Sequence, residues 1–352
     1  MNQTPNGNCP VPHGPGDRVQ LGHGAGGRLT AELLDSLVLP ALGGSQSGAQ
    51  AGPLEDAAVL PQDEQLVVST DSFVVSPLVF PGGDIGSLAV HGTVNDLAMR
   101  GALPLALTLA VIAEEGLPLD ELRSLLTSAG KAAHDVGVPV ITGDTKVVGR
   151  GAADRLFLNT TGIGRRIPGL TPSAAGARPG DAVLLSGPLG LHGTAVLSTR
   201  EGLGFETDIA SDTRPLHRLV TALAPYGPAV HALRDPTRGG LATTLNEIAH
   251  DSGLCVGIDE STLPVPPPVA AACDLLGLDP LIVANEGCLV AFLAPEAAEG
   301  ALAAMRSRPE GAHAVRIGTT AQGPSGRVVM RTLMGAGRLI DMPVGEQLPR
   351  IC

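Results

Sequence analysis

The chain has 352 residues, enough for two domains at the usual ~100–200 residues each, and its 43% hydrophobic and 16% charged content excludes a disordered chain. A formal net charge of −12, with one Tyr, five Phe and no Trp, leaves neither a basic footprint nor stacking platforms for nucleic acid. The longest apolar run, Gly101 to Ala113, is too short for a ~20-residue membrane span, and Met1 to Asp17 lacks a basic start followed by an apolar core, so the chain reads as cytoplasmic with a flexible extension over residues 1–17.

In chain order, Gly22 to Gly27 is a glycine-rich turn before a helical pattern over Leu29–Leu39, and Ala41 to Pro53 is a Gly/Ser/Gln loop. Ala57–Leu60 and Gln65–Thr70 read as strands, Ser87–Arg100 as a helix, Leu105–Ala113 as a buried strand, Leu119–Val136 as an amphipathic helix, and Val138–Thr142 and Leu156–Gly164 as strands. Arg165 to Gly180 has the composition of a linker. Beyond it come a strand at Ala182–Leu185, a Gly-rich turn (Ser186 to Gly193) and a helix from Thr194. Helical patterns follow at Pro215–Leu223, Leu241–Asp251 and Pro295–Met305, and strand-like runs at Leu281–Ala284, Cys288–Leu293 and Val328–Arg331. The domain boundaries predicted from this pattern are 18–165, a linker over 166–180, 181–340, and a mobile tail over 341–352.

Gly22, Gly24 and Gly27 satisfy GxGxxG, but the acidic residue that a dinucleotide site needs ~20 positions later is missing. What remains is either backbone N–H groups free to approach an anion or a glycine hinge. More telling is a series of acids at the ends of apolar strands or the heads of helices: Glu55-Asp56, Asp71, Asn95-Asp96, Asp144 and Asp235. Each alone also suits a turn or cap; together they suit Mg²⁺ holding phosphates. Of 23 basic residues only Lys131 and Lys146 are lysines, which directs attention to Gly143-Asp144-Thr145-Lys146. Arg238, in Thr237-Arg238-Gly239-Gly240, is placed to meet an anion, and Glu286 puts a carboxylate inside an apolar run. Five cysteines with no CxxC pair argue against a disulfide framework or zinc knuckle; Cys255, Cys273 and Cys288 read as core thiols. Cys352 differs as the final residue of a polar tail, either incidental or a thiol that swings into a cleft; a CaaX signal is excluded by its position.

The stretches HGAGG (23–27), STDSFVVSPLVFPGGDIG (69–86), GTVNDLAMRGA (92–102), EEGLP (114–118), GDTKVVGRGAAD (143–154), DPTRGG (235–240), ANEG (284–287) and PRIC (349–352) together resemble the HypE family of hydrogenase maturation proteins, within the AIR synthetase-like (PurM-like) superfamily. The resemblance spans about residues 18 to 352 and is most specific in the PRIC ending. It implies a two-domain α+β fold: an N-terminal ATP-binding domain whose half-barrel sheet pairs with a second subunit, a C-terminal α/β sandwich, and a tail carrying the acceptor Cys352. It implies a carbamoyl dehydratase using ATP and Mg²⁺, loaded at Cys352 by the carbamoyltransferase HypF and delivering cyanide to iron on a HypC–HypD complex. At matched positions it implies Lys146 and Glu286 for charge stabilisation and proton abstraction. Gly24, Gly26, Gly27, Asp71, Asn95, Asp144 and Arg238 are then expected to bind ATP, and Asp56, Asp71, Asp96 and Asp235 to bind metal. Two positions depart from the family pattern: His91 where Cys is common, and Leu191 where Asp is expected in the GxHG turn. The rival readings are a superfamily kinase acting on a free small molecule, such as a thiamine phosphate kinase, and a non-catalytic thiol carrier with a regulatory ATP site.

Overall fold

Alternating apolar residues along the first domain build a sheet with one face to bury, and two helices supply the cover. In the computed structural model, residues 19–42, 54–201, 209–345 and 351–352 are described. Cys9 and the extension over 1–17 lie outside them. After α1 (Arg28–Leu33), a π turn and the short α2 (Leu39–Ala41), the chain forms β1 (Ala58–Leu60), β2 (Asp63–Phe73), a ribbon of β3 (Val79–Phe80) and β4 (Gly83–Asp84), and α3 (Ile85–Met99). Then come β5 (Ala102–Glu114), α4 (Leu119–Val136), β6 (Val140–Val148) and β7 (Leu156–Arg166). The sheet order is β1-β2-β7-β5-β6, with only β5–β6 parallel, so α4 is the crossover that a parallel pair requires. Asp84 starts α3 by accepting the Ser87 N–H at 2.9 Å while Ser87 Oγ takes the Asp84 N–H, a reciprocal cap. Leu125, Ala129, Ala132, Ala133 and Val136 form the buried stripe of α4, at the spacing its sequence predicts.

The predicted strand ending at Thr142 in fact runs on to Val148, because residues 142–148 pair in register with Thr108–Glu114 of β5. The Gly-Asp-Thr-Lys motif therefore lies within an edge strand. That strand is exposed at every position but Val148.

The 166–180 segment is packed rather than loose. Leu170 and Ala174 are fully buried, and Arg100 Nη1 donates to the Pro172 carbonyl at 2.7 Å. The second domain contains β8 (Ala182–Leu185), α5 (Leu191–Arg200), α6 (His217–Leu223), β9 (Val230–Arg234), α7 (Gly240–Asp251), β10 (Cys255–Asp259) and α8 (Pro267–Leu276). It ends with β11 (Val290–Leu293), α9 (Ala298–Arg306), β12 (Val315–Ala321), β13 (Arg327–Arg331) and β14 (Gly337–Ile340). Its sheet order is β14-β13-β10-β12-β8-β11-β9. Both faces are covered: Val183, Leu185 and Phe292 pack against Leu245 and Ile248 of α7, while Leu184 and Leu293 pack against Leu219 of α6 and Met305 of α9. Ala98 and Met99 of α3 and Leu170 join the second of these clusters, so the domains share a core.

Leu281–Ala284 is not the predicted strand. Asp279 accepts the Leu281 N–H at 2.9 Å and Pro280 sits at the head of a 3₁₀ turn, so local capping overrides the apolar run. The sequence reading also did not identify β9, β10, β12, β14 and α8; β12 and β14 lack a regular alternation of burial, whereas β10 alternates strictly and β9 is buried at four of its five positions, so those two were legible. Among the described residues no helix is long and apolar enough to cross a membrane.

Candidate active site

A cavity of about 300 Å³ opens between the domains where β2, α3, the head of α7, the 284–287 turn and Cys352 meet. The strand β2 brings Asp71, α3 brings Asp96, the turn before β1 brings Asp56, and the exit of β9 brings Asp235. Arg238 and Glu286, also expected from the sequence, line it as well. Arg234 and Glu247, which the sequence reading did not single out, line it too. For Glu247 the legible signal was spacing, since it follows Thr243 by one helical turn on α7, and for Arg234 it was its place directly before Asp235.

Six carboxylates here face two guanidiniums. Arg234 bridges Asp56 (3.0 Å) and Glu247 (2.9 Å), which leaves Asp71, Asp96, Asp235 and Glu286 with little direct compensation. Ser69 Oγ donates to Asp96 at 2.6 Å, yet burial, then Asp235 and its neighbours, push Asp96 well above the usual carboxylate range. Burial, reinforced by Asp56, lifts Asp235 to about 8. Glu286 is raised well above its ordinary value by burial and then by Asp235, and its Oε1 has no hydrogen-bond partner among the described residues. A buried, unpartnered carboxylate surrounded by like charge is costly unless a ligand completes it.

The turn carrying Glu286 is rigidly held. Asp212 accepts the N–H groups of Glu286 (3.0 Å) and Gly287 (3.1 Å), and a Cβ on Gly287 would collide with the Asp212 carbonyl oxygen. Asn285 donates to the Pro236 and Val283 carbonyls at 3.0 and 3.1 Å and accepts the Gly190 N–H at 2.6 Å. Asn95, expected at the nucleotide, is occupied in the same scaffold: its amide donates to Arg214 O (3.1 Å) and Glu286 O (3.4 Å), and its oxygen accepts from Leu216 N (2.7 Å). It positions the turn and does not line the cavity.

Of the glycine motif only Gly26 lines the cavity, and its N–H is already bonded to Thr30 Oγ1 at 3.0 Å. Gly24 instead offers its carbonyl to Arg238 Nη1 at 3.1 Å. Gly27 lies so close to the Pro343 carbonyl oxygen that a Cβ would collide with it. The motif thus supports Arg238 and the start of the tail instead of presenting a row of free N–H groups.

Asp144 and Lys146 are not brought to the cavity within one chain. Lys146 Nζ pairs with Asp144 at 2.8 Å, and their side chains are 67% and 62% exposed. The register Asp71–Thr160–Leu109–Gly143 puts three strand spacings, about 14 Å, between Asp71 and this part of β6. Among the described residues no group of three or more His, Cys, Asp or Glu side chains is arranged to hold a metal by itself.

The tail expected to be mobile ends in a seated conformation. Ile351 is buried among Phe73, Leu78, Phe80 and Leu88, Val74 N–H donates to the Cys352 main-chain oxygen at 3.2 Å, and Cys352 lines the cavity. Burial pushes the Cys352 thiol above its ordinary value, with Arg238 opposing. Cys273 and Cys288 are buried core thiols as predicted, whereas Cys255 is half-buried. His91 packs on Thr213 Oγ1 at 3.3 Å, away from the cavity, and Leu191 packs beside the α5–α8 core. A larger cleft of about 580 Å³ beside α8 gathers none of the candidate residues.

Residues 54–166 match the N-terminal domain, and residues 178–331 the C-terminal domain, of the AIR synthase related proteins. Carbamoyl dehydratase HypE of Cupriavidus necator is 52% identical over 335 residues, covering 95% of each chain. A crystal structure of a HypE–HypF complex is similar with a TM-score of 0.83 at 46% identity, covering 88% of this chain and 99% of that one. A structure of HypE in complex with ATP gives 0.80 at 49% identity, covering 94% and 98%. The chain belongs to the carbamoyl dehydratase HypE family of AIR synthase related proteins.

Proposed function

We propose that the protein dehydrates an S-carbamoyl group on its own Cys352 to a thiocyanate, in an ATP-dependent reaction that supplies the cyanide ligand of a nickel–iron hydrogenase. The observation that carries this reading is the seating of Cys352 in the same acidic cavity as the unpartnered Glu286. A kinase acting on a free substrate has no use for its own C-terminal thiol there. A passive carrier has no use for a buried base fixed by Asp212 and Asn95.

Hard oxygen donors with raised proton affinity suit a divalent cation that arrives with nucleotide phosphates, since Mg²⁺ takes few protein ligands and keeps waters or phosphate oxygens. Asp71, Asp96 and Asp235 would hold Mg²⁺–ATP, with Asp56 fixed behind them by Arg234. When bound, the nucleotide supplies the phosphoryl group that makes the carbamoyl oxygen a leaving group. Cys352 carries the carbon, Arg238 offsets negative charge beside it, and Glu286 accepts a proton from the carbamoyl nitrogen. The balance is complete: the C–O bond breaks, the oxygen leaves as part of phosphate, both N–H protons depart, and S–C≡N remains on the chain.

The raised thiol proton affinity at the seated position fits a cycle in which Cys352 accepts the carbamoyl group from HypF outside the cavity and reacts further inside it. Delivery to a HypC–HypD complex would again present the tail outward. A homodimer is supported by the uncovered strand β6, where Ile141 and Val147 are 59% and 71% exposed. Lys146 and Asp144 on that strand would then act on the second copy's cavity.

Intact-mass spectrometry after incubation with HypF, carbamoyl phosphate and ATP tests the reading. The expected result is a carbamoyl adduct that converts to a species lighter by one water, with the modification on Cys352. Conversion in Cys352→Ala would refute it.

A further inference from the structure

The GxHG turn that departs from the family pattern at Leu191 holds a side chain with no assigned role. His192 is fully buried at the head of α5, and its Nε2 lies 2.7 Å from the carbonyl oxygen of Ile351. A carbonyl only accepts, so Nε2 carries the proton. Nδ1, 2.8 Å from Ser211 Oγ, is then the acceptor, and Ser211 Oγ in turn accepts the Thr213 N–H at 3.1 Å. Every atom of this relay is satisfied with one tautomer. Burial also pushes the imidazole down to about 4, which keeps it neutral. Phe80 meets the ring edge-on at 5.3 Å and packs in the same cluster as Ile351. Among the described residues, His192 is the one side chain that hydrogen-bonds the Ile351–Cys352 dipeptide; its other polar contact is the Val74 N–H.

We propose that His192 is a positioning residue: a neutral latch, its tautomer set by Ser211, that holds the tail inward so that Cys352 stays in the cavity with Glu286. Ser211 is bonded to the Pro81 carbonyl through its N–H (2.7 Å), and the adjacent Asp212 caps the Glu286 turn. One short segment thus supports both the latch and the base. The catalytic consequence rests on the dehydratase reading; the latch itself does not.

The test is the rate at which N-ethylmaleimide alkylates Cys352 in the full-length protein without nucleotide, read peptide by peptide by mass spectrometry. Half-buried Cys255 serves as a remote reference and buried Cys288 as a monitor of unfolding. Loss of one buried hydrogen bond predicts that His192→Ala accelerates Cys352 alkylation by roughly tenfold, with Cys255 and Cys288 unchanged. His192→Gln, which can donate to Ile351 and accept from Ser211, restores most of the protection, and Ser211→Ala falls between. Alkylation of Cys352 in His192→Ala at the wild-type rate overturns the proposal. If Cys288 also accelerates in His192→Ala, the other two variants decide: equal protection in Ser211→Ala and wild type, or none in His192→Gln with Cys288 still protected, overturns it. Under the dehydratase reading, His192→Ala still receives carbamoyl from HypF but converts it more slowly. A wild-type protein that never converts the adduct, yet loses thiol protection in His192→Ala, refutes that reading and leaves the latch standing.

Discussion

The cavity and strand β6 both carry an acid that the sequence places at the end of an apolar run, and they differ in every physical respect. Asp235 is buried and Asp96 half-buried among like charges, whereas Asp144 is exposed and held below its usual range by its hydrogen bond from Lys146. The first group is costly to ionise without a cationic ligand; the second is already satisfied and faces outward. A shared motif style therefore hides two roles: one builds a site within the chain, and the other presents an edge with polar groups and apolar side chains to a second copy.

The largest expected effect comes from the cavity side. Glu286→Gln keeps the backbone contacts of the turn but removes the base, and dehydration in single turnover should slow by ~10²–10⁴-fold while carbamoylation continues. Equal rates in the variant and wild type would remove Glu286 from the chemistry.

The β6 side is tested by complementation. Lys146→Ala and Glu286→Gln should each stall at the carbamoyl adduct. If Lys146 acts across a dimer, mixing the two variants after subunit exchange restores about a quarter of wild-type activity, since half the dimers are mixed and one of their two sites is intact. Zero recovery in dimers shown to have exchanged would place Lys146 with its own chain's cavity.

A smaller effect concerns stability. A carboxyl raised to about 8 holds its proton in the folded protein after the unfolded chain has released it, so its contribution to stability falls as pH rises from about 4 to about 8. Asp235→Asn should therefore raise the nucleotide-free Tm by roughly 3–6 °C at pH 8.5, with no gain near pH 4. Differential scanning calorimetry at the two pH values reads this directly; a Tm gain at pH 4 as large as that at pH 8.5 would contradict it.

Smallest is the chain's other lysine. Lys131 and Asp135 form an i,i+4 pair at 2.6 Å with side chains 76% and 55% exposed. Lys131→Ala should change stability by less than about 0.5 kcal/mol and leave dehydration intact. Comparing the two lysine variants by denaturant titration and by single turnover separates a surface pair from a functional one.

Much of this was legible beforehand. The boundaries of α4 and the acids at 56, 71, 96 and 235 followed from periodicity and from charge placed against apolar runs. The scaffold role of Asn95 was not legible, because a polar side chain next to an acidic residue looks like a ligand, while its partners in the structure, at 214, 216 and 286, are more than a hundred residues away. Asp212 and His192 went unread for the same reason: neither belongs to a local pattern, and each acquires meaning only through a backbone group from another part of the chain.

The sequence alone determined the family, the two-domain layout, the acidic character of the site and the singular position of Cys352. The family rests on the resemblance of the motif stretches from HGAGG to PRIC; the others are carried by local periodicity and by residue chemistry that does not depend on distant contacts. The tertiary structure decided which acids are buried, that Lys146 does not line its own chain's cavity, and that the tail has a seat with a buried histidine bonded to it. Burial and hydrogen-bond partnership are properties of the packed chain, because desolvation and long-range pairing exist only once strands and helices have come together.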